Sequence, residues 1–187
     1  MLPAGLLLSV ATAVQAILGQ PVPEWPAKTP DQWVQGGPLT LADLRGRVVL
    51  IRFFMESDCP YCRGTAPTLN EFDQEFAKDG LVVIGMYTPK PEPRPVELDD
   101  VRAYVKSYGF EFPIAVDADW GALRRLWLDR VPDWKFTSAS LLIDRRGVLR
   151  HVQTGGIYAK DADLKRKRAL KDYKDMREAI VALLAEP

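Results

Sequence analysis

Two cysteines are all the chain has, and they stand two residues apart as Cys59-Pro60-Tyr61-Cys62. Before them lies Val48–Phe54, a continuous apolar run rich in β-branched residues and broken only by Arg52, the pattern of a strand buried on both faces. After them, from Thr65 to Lys78, Leu69, Phe72 and Phe76 recur at helical spacing, and Gly80 supplies the stop. A disulfide across this pair would close almost no loop, so stapling the chain is a poor reason for it. A zinc site would need about four ligands, and the chain adds one histidine, His151, and no further cysteine. Redox chemistry is the reading left standing.

That chemistry has three requirements: a thiolate at working pH, an accessible position, and a second thiol to resolve the mixed disulfide. At a strand-to-helix junction Cys59 meets the unpaired N–H groups and the positive end of the helix, which favour the anion. Pro60 suits the first helical turn because it has no N–H to leave unpaired. Cys62 lies further into the helix, more shielded and with a higher expected pKa, so Cys59 is expected to attack and Cys62 to release. Asp58 opposes thiolate formation and Arg63 favours it; side-chain directions decide between them.

The 187 residues suit one domain, and 47% hydrophobic residues are enough to fill its core. With 25 basic and 25 acidic residues and no tail of one sign, nothing points to nucleic acid or an anionic membrane surface as partner. The Lys165–Arg168 cluster is answered by Asp161, Asp163, Asp172 and Asp175 and reads as a solvated helix start. The apolar run at Leu6–Ala11, followed by small residues at Ala13 and Ala16, resembles a secretory signal or anchor without the usual basic start. The alternative is a helix packed on the domain. Residues 1–20 are therefore set apart from a domain at 21–187, with a membrane tether and an extracytoplasmic location as the expectation.

Gln20–Pro38 is proline-rich, carries Trp25 and Trp33, and reads as an extended arm. Leu81–Tyr87 predicts a second buried strand, Pro89–Pro95 a loop, and Leu98–Tyr108 a helix ended by Gly109. Phe112–Val116 predicts a short strand and Trp120–Leu128 a short helix. Ala139–Ile143 and Val148–Gln153 flank Asp144-Arg145-Arg146-Gly147 as a hairpin, and Leu170–Leu184 closes the chain as a helix. This order predicts an α/β protein with a central mixed sheet and helices on both faces, a plan that resembles the thioredoxin fold, with an N-terminal extension.

Gly37-Pro38-Leu39 through Leu50, Cys59–Arg63, Pro67, Leu81–Gly85 and Leu142–Gly147 together resemble the bacterial TlpA/ResA-like redoxins, thioredoxin-fold proteins grouped with the AhpC/TSA redoxins. The resemblance covers about Trp33 to Leu184. It implies an extracytoplasmic thiol–disulfide oxidoreductase that meets a protein dithiol or disulfide and a redox partner protein, needs no cofactor, and uses Cys59 as nucleophile and Cys62 as resolving thiol. Two departures stand out. Asp58 replaces the family's tryptophan, and the position of the family's cis-proline falls on Ser138. A cis bond before a non-proline residue costs about 2.5–4 kcal/mol, so a trans peptide is expected there. Pro132 takes that position only if the intervening loop is an insertion.

Around the pair, Glu56 is a candidate proton shuttle for Cys62, against a solvated strand-end carboxylate. Tyr61 is a candidate partner contact, weighed equally with packing. His151 is expected to be surface or hydrogen-bonded, and the five tryptophans to pack. Two other functions remain open. A thiol peroxidase is disfavoured because the threonine that accompanies a peroxidatic cysteine is missing and Glu56 stands three residues before Cys59. A non-enzymatic module would hold a metal or partner on its cysteines.

Overall fold

The computed structural model describes residues 12–26, 29–56, 59–131, 137–160 and 167–187. The apolar run at Leu6–Ala11, and Asp58, Pro132, Trp134, Asp161, Asp163 and Lys165 fall outside the described residues.

Six strands form one sheet: β1 Trp33–Gln35, β2 Val48–Phe54, β3 Leu81–Tyr87, β4 Ile114–Val116, β5 Ala139–Ile143 and β6 Leu149–Thr154. Their order is β1-β4-β3-β2-β5-β6. β2, β3 and β4 run parallel, while β1, β5 and β6 are antiparallel to their neighbours. Parallel neighbours need long crossovers, and two helices supply them: α2, Pro60–Phe76, between β2 and β3, and α3, Leu98–Tyr108, between β3 and β4. The other helices are α1 at residues 12–17, α4 at Gly121–Leu123, which continues as a π turn over Arg124–Leu128, and α5, Lys167–Ala185.

The unbroken apolar runs of β2 and β3 follow from burial on two sides. Along β2, Val48, Leu50 and Phe54 enter one core with Cys59, Cys62, Phe72 and residues of α3 and α5. Val49, Ile51 and Phe53 enter the other with Ile17, Trp25, Leu123 and Trp127. The period of two in a strand makes this division. α2, α3 and α5 thus cover one face, α1 and α4 the other. Each fully buried large apolar side chain contributes about 1.5–3 kcal/mol, and the central strands are lined with them.

Most expected elements lie within a few residues of their predicted bounds, with two differences. The helix after the motif begins at Pro60, as the sequence predicts, with Cys59 as its cap. Trp120 stands outside α4 in the left-handed region, φ 61°, and the predicted helix starts after it. The proline-rich arm is not wholly irregular: Trp33–Gln35 pairs with β4, and the Gln35 amide donates to the Phe110 and Phe112 carbonyls at 2.9 and 2.7 Å. Its start lies along the opposite border, where the Gly19 and Val22 N–H groups donate to the Leu149 and Gly147 carbonyls at 2.8 and 2.9 Å. Ala13, Val14, Ile17 and Leu18 pack on the second core. No helix among the described residues is long and apolar enough to cross a membrane.

Candidate active site

Chain direction sets the site. β2 ends at Phe54 and α2 begins at Pro60; between them the Cys59 N–H donates to the Glu56 carbonyl at 3.1 Å. Cys59 is the residue capping that helix: its Sγ accepts from the Cys62 N–H at 3.3 Å, and its carbonyl accepts from the Arg63 N–H at 3.0 Å. Sulfur here takes the place an oxygen takes at most helix starts, meeting donors that have no partner inside the helix.

Both cysteines are free thiols, 6% and 3% exposed. They are unequal in acidity. The Cys62 thiol donates to the Cys59 sulfur and is the largest cause of its fall from an ordinary 9.0 to about 6. Burial opposes the fall, while the Cys62 and Tyr61 N–H groups and the Arg52 charge reinforce it. Cys62 moves far upward, first because its proton is held by Cys59 and then because it is buried. Deprotonation belongs to Cys59 and proton retention to Cys62.

The surrounding residues divide the sequence-based candidates. Tyr61 is 54% exposed and lines a shallow groove with Pro60, Gly156 and Ile157. Ser138, half-buried just ahead of β5, shares a small crevice with Met55, Thr88 and Lys90. The cis peptide bonds among the described residues are Gly37–Pro38 and Lys90–Pro91, so the bond before Ser138 is trans. The Glu56 carboxylate is ion-paired with Arg94, and its carbonyl accepts from the Tyr108 hydroxyl at 2.9 Å. His151 lies on β6 opposite Leu142, and burial pushes its pKa down against the charges of Asp175 and Asp172 on α5. Among the described residues no three of His, Cys, Asp and Glu are placed to hold a metal ion.

One neighbour has no sequence signature. Lys90, in the loop after β3, lies within the field of both sulfurs and of Glu56. Its ammonium is 4.8 Å from the Trp120 ring, and the Trp120 indole N–H is anchored to the Pro89 carbonyl at 2.9 Å. Burial lowers Lys90 from 10.5 to about 8, and the negative charge of the cysteines limits the fall. Arg52 did carry a signal, as the single charge in a buried strand.

Residues 18–152 match the model of the AhpC/TSA family. The chain belongs to that family. Protein DipZ of Mycobacterium tuberculosis is 33% identical over 121 residues, 63% of this chain and 16% of DipZ, so the chain spans well under two thirds of that relative. The thiol-disulfide oxidoreductase YkuV of Bacillus subtilis is 27% identical over 157 residues, covering 83% of this chain and 97% of YkuV. Among solved structures, a thiol:disulfide interchange protein of the thioredoxin family from Chlorobium tepidum TLS superimposes with a TM-score of 0.62 at 22% identity, covering 88% of this chain and 96% of that one. At that identity the likeness speaks for the fold, and the fold is thioredoxin-like.

Proposed function

We propose that this protein is a thiol–disulfide oxidoreductase that works on protein thiols, with Cys59 as the attacking and Cys62 as the resolving thiol. The observation that carries the reading is the divided acidity of the pair, one sulfur at about 6 and its neighbour pushed up, at a helix N-terminus. The Cys59 thiolate attacks one sulfur of a substrate disulfide; an S–S bond forms to Cys59 and the other substrate sulfur leaves as thiolate. Cys62 then loses its proton and attacks the Cys59 sulfur, releasing the second substrate thiolate. Two electrons pass to the substrate, and the protein keeps the Cys59–Cys62 disulfide until a partner dithiol reduces it. The same steps run backwards for oxidation of a substrate dithiol.

This exchange belongs to the domain at 21–187. An extracytoplasmic position, with residues 1–20 as signal or tether, is the reading favoured by the apolar run at Leu6–Ala11. We assign exposed Tyr61, between the cysteines, and Ser138, with its trans peptide in the crevice beside Met55 and Lys90, to the substrate side of the site. The name of YkuV agrees with the reading.

Trapping tests the assignment. Cys62→Ser is expected to accumulate mixed disulfides through Cys59 and Cys59→Ser to accumulate few; equal trapping by both variants would contradict it. Insulin reduction run beside hydrogen peroxide consumption separates the exchange reading from a peroxidase. Turnover of peroxide without reduction of insulin would replace the first by the second.

A further inference from the structure

The strand that leads into the cysteine pair carries a charge with no opposite partner among the described residues. Arg52 is 1% exposed in the middle of β2. Because alternate residues share a face, it points to the side of Val48, Leu50 and Phe54, which is the side of α2 and both cysteines. Its Nη1 donates to the Ser140 hydroxyl at 3.3 Å and its Nη2 to the Gly156 carbonyl at 3.5 Å, both long contacts. The Tyr158 ring centroid is 5.7 Å from the guanidinium carbon, and Nε has no hydrogen-bond partner. Among the described residues no carboxylate pairs with it; Glu56, the next acidic residue along the chain, is ion-paired with Arg94. An isolated buried guanidinium costs several kcal/mol unless an opposite charge answers it.

The groups that can answer it are the sulfurs. The field of Arg52 reaches both Cys59 and Cys62 and favours the anion on each. Among the described residues, other charged or titratable groups near the pair include Lys90 from the loop after β3, Glu56 just past β2, Arg63 on α2, and Tyr158. The Tyr158 hydroxyl is engaged with Ser140 at 3.0 Å and is held neutral by burial. The bond to Gly156 also ties Arg52 to the loop that reaches α2, where a Cβ on Gly64 would lie 2.7 Å from Ile157.

We propose that Arg52 is the fixed counter-charge of the active-site thiolate, present beneath α2 in both redox states and answered only when the pair is reduced. The inference rests on the reading of Cys59 as nucleophile. Arg52 acts on that sulfur through its field and is a positioning residue. Its consequence is thermodynamic: by favouring the reduced, anionic form it raises the reduction potential and makes the protein a better oxidant.

The test compares Arg52→Met and Arg52→Gln, which remove the charge, with Arg52→Lys, which keeps it. Two quantities are read from pH 5 to 9: the iodoacetamide alkylation rate of Cys59, and the equilibrium of the pair with reduced and oxidised glutathione. An opposite charge in a buried setting shifts a pKa by about one unit or more. For one unit, both neutral variants alkylate about twofold more slowly at pH 7 and about ninefold more slowly at pH 5, and their disulfide is favoured about fivefold over the parent at pH 7. The equilibrium effect vanishes at pH 5 and reaches about tenfold, or about 30 mV, by pH 9. Arg52→Lys stays within about twofold of the parent throughout. Gln keeps a donor for Ser140, so it provides the measurement if the Met variant does not fold. A neutral variant with the parent's alkylation midpoint, or with an offset independent of pH, overturns the inference while the oxidoreductase reading stands. A parent protein that fails to close its disulfide overturns that reading, and the inference with it.

Discussion

The acidity of Cys59 makes the stability of the reduced protein depend on pH in a window that the oxidised protein lacks. Its thiol ionises at about 6 in the folded chain against 9.0 for an ordinary cysteine. Because the folded pKa is depressed, the unfolded chain binds more protons between those values, so the contribution is complete above 9 and is lost as pH falls through 6. At pH 7 it amounts to about 1.4 kcal/mol, at pH 5 to about nothing, and the limit above pH 9 is about 4 kcal/mol. Cys62 has the opposite shift, its folded pKa raised, and its cost appears only where an unfolded thiol would ionise. Urea unfolding of reduced and oxidised protein at pH 5, 6, 7 and 8 reads the effect as the difference between the two forms, to which Lys90 adds as pH nears 8. The reduced form is expected to gain about 1.4 kcal/mol relative to the oxidised form between pH 5 and 7. The alkylation rate of Cys59 should rise with a midpoint near 6. A difference that stays flat from pH 5 to 8, together with an alkylation midpoint near 9, would refute the argument.

Oxidation should also be felt at Lys90, because closing the disulfide removes the anion that supports its charge; its ammonium, read by NMR after ¹³C-methylation, should titrate near 8 in reduced protein and lower once oxidised. Ser138→Pro should change the rate of insulin reduction markedly without loss of fold, and equal rates would remove Ser138 from the substrate side of the site. Gly37→Ala puts a Cβ 2.0 Å from the Trp33 ring, and thermal unfolding should report a loss of about 1–3 kcal/mol from the forced repacking.

The central strands were legible because burial on both faces leaves no polar residue to blur their ends, and Gly80, φ 111°, punctuates the step into β3. The cysteine pair was legible because its chemistry depends on spacing and on the adjoining helix. β1 was hidden: three residues in a proline-rich arm have no periodicity of their own, and their partner β4 lies some eighty residues away in the chain. The π turn at Arg124–Leu128 leaves no trace in a helical apolar pattern. Lys90 was invisible because only the crossover topology brings its loop beside the sulfurs. Arg52 could be seen as an anomaly, but its meaning depends on which face it occupies and on the want of a carboxylate there.

The arm that precedes β2 has a bearing on solubility. Residues 19–22 are hydrogen-bonded along the near end of β6, Trp25 is buried on the intervening face, and residues 33–35 line β4. One stretch of chain therefore touches both borders of the sheet, like a strap buckled at each end. Open sheet borders recruit other extended chains. With the arm in place β4 is no longer an edge, the near end of β6 is covered, and the strand left at the first border is β1, three residues long. A chain trimmed back to residue 36 would lose both closures at once, and its first failing would be self-association, ahead of any failing in thiol chemistry.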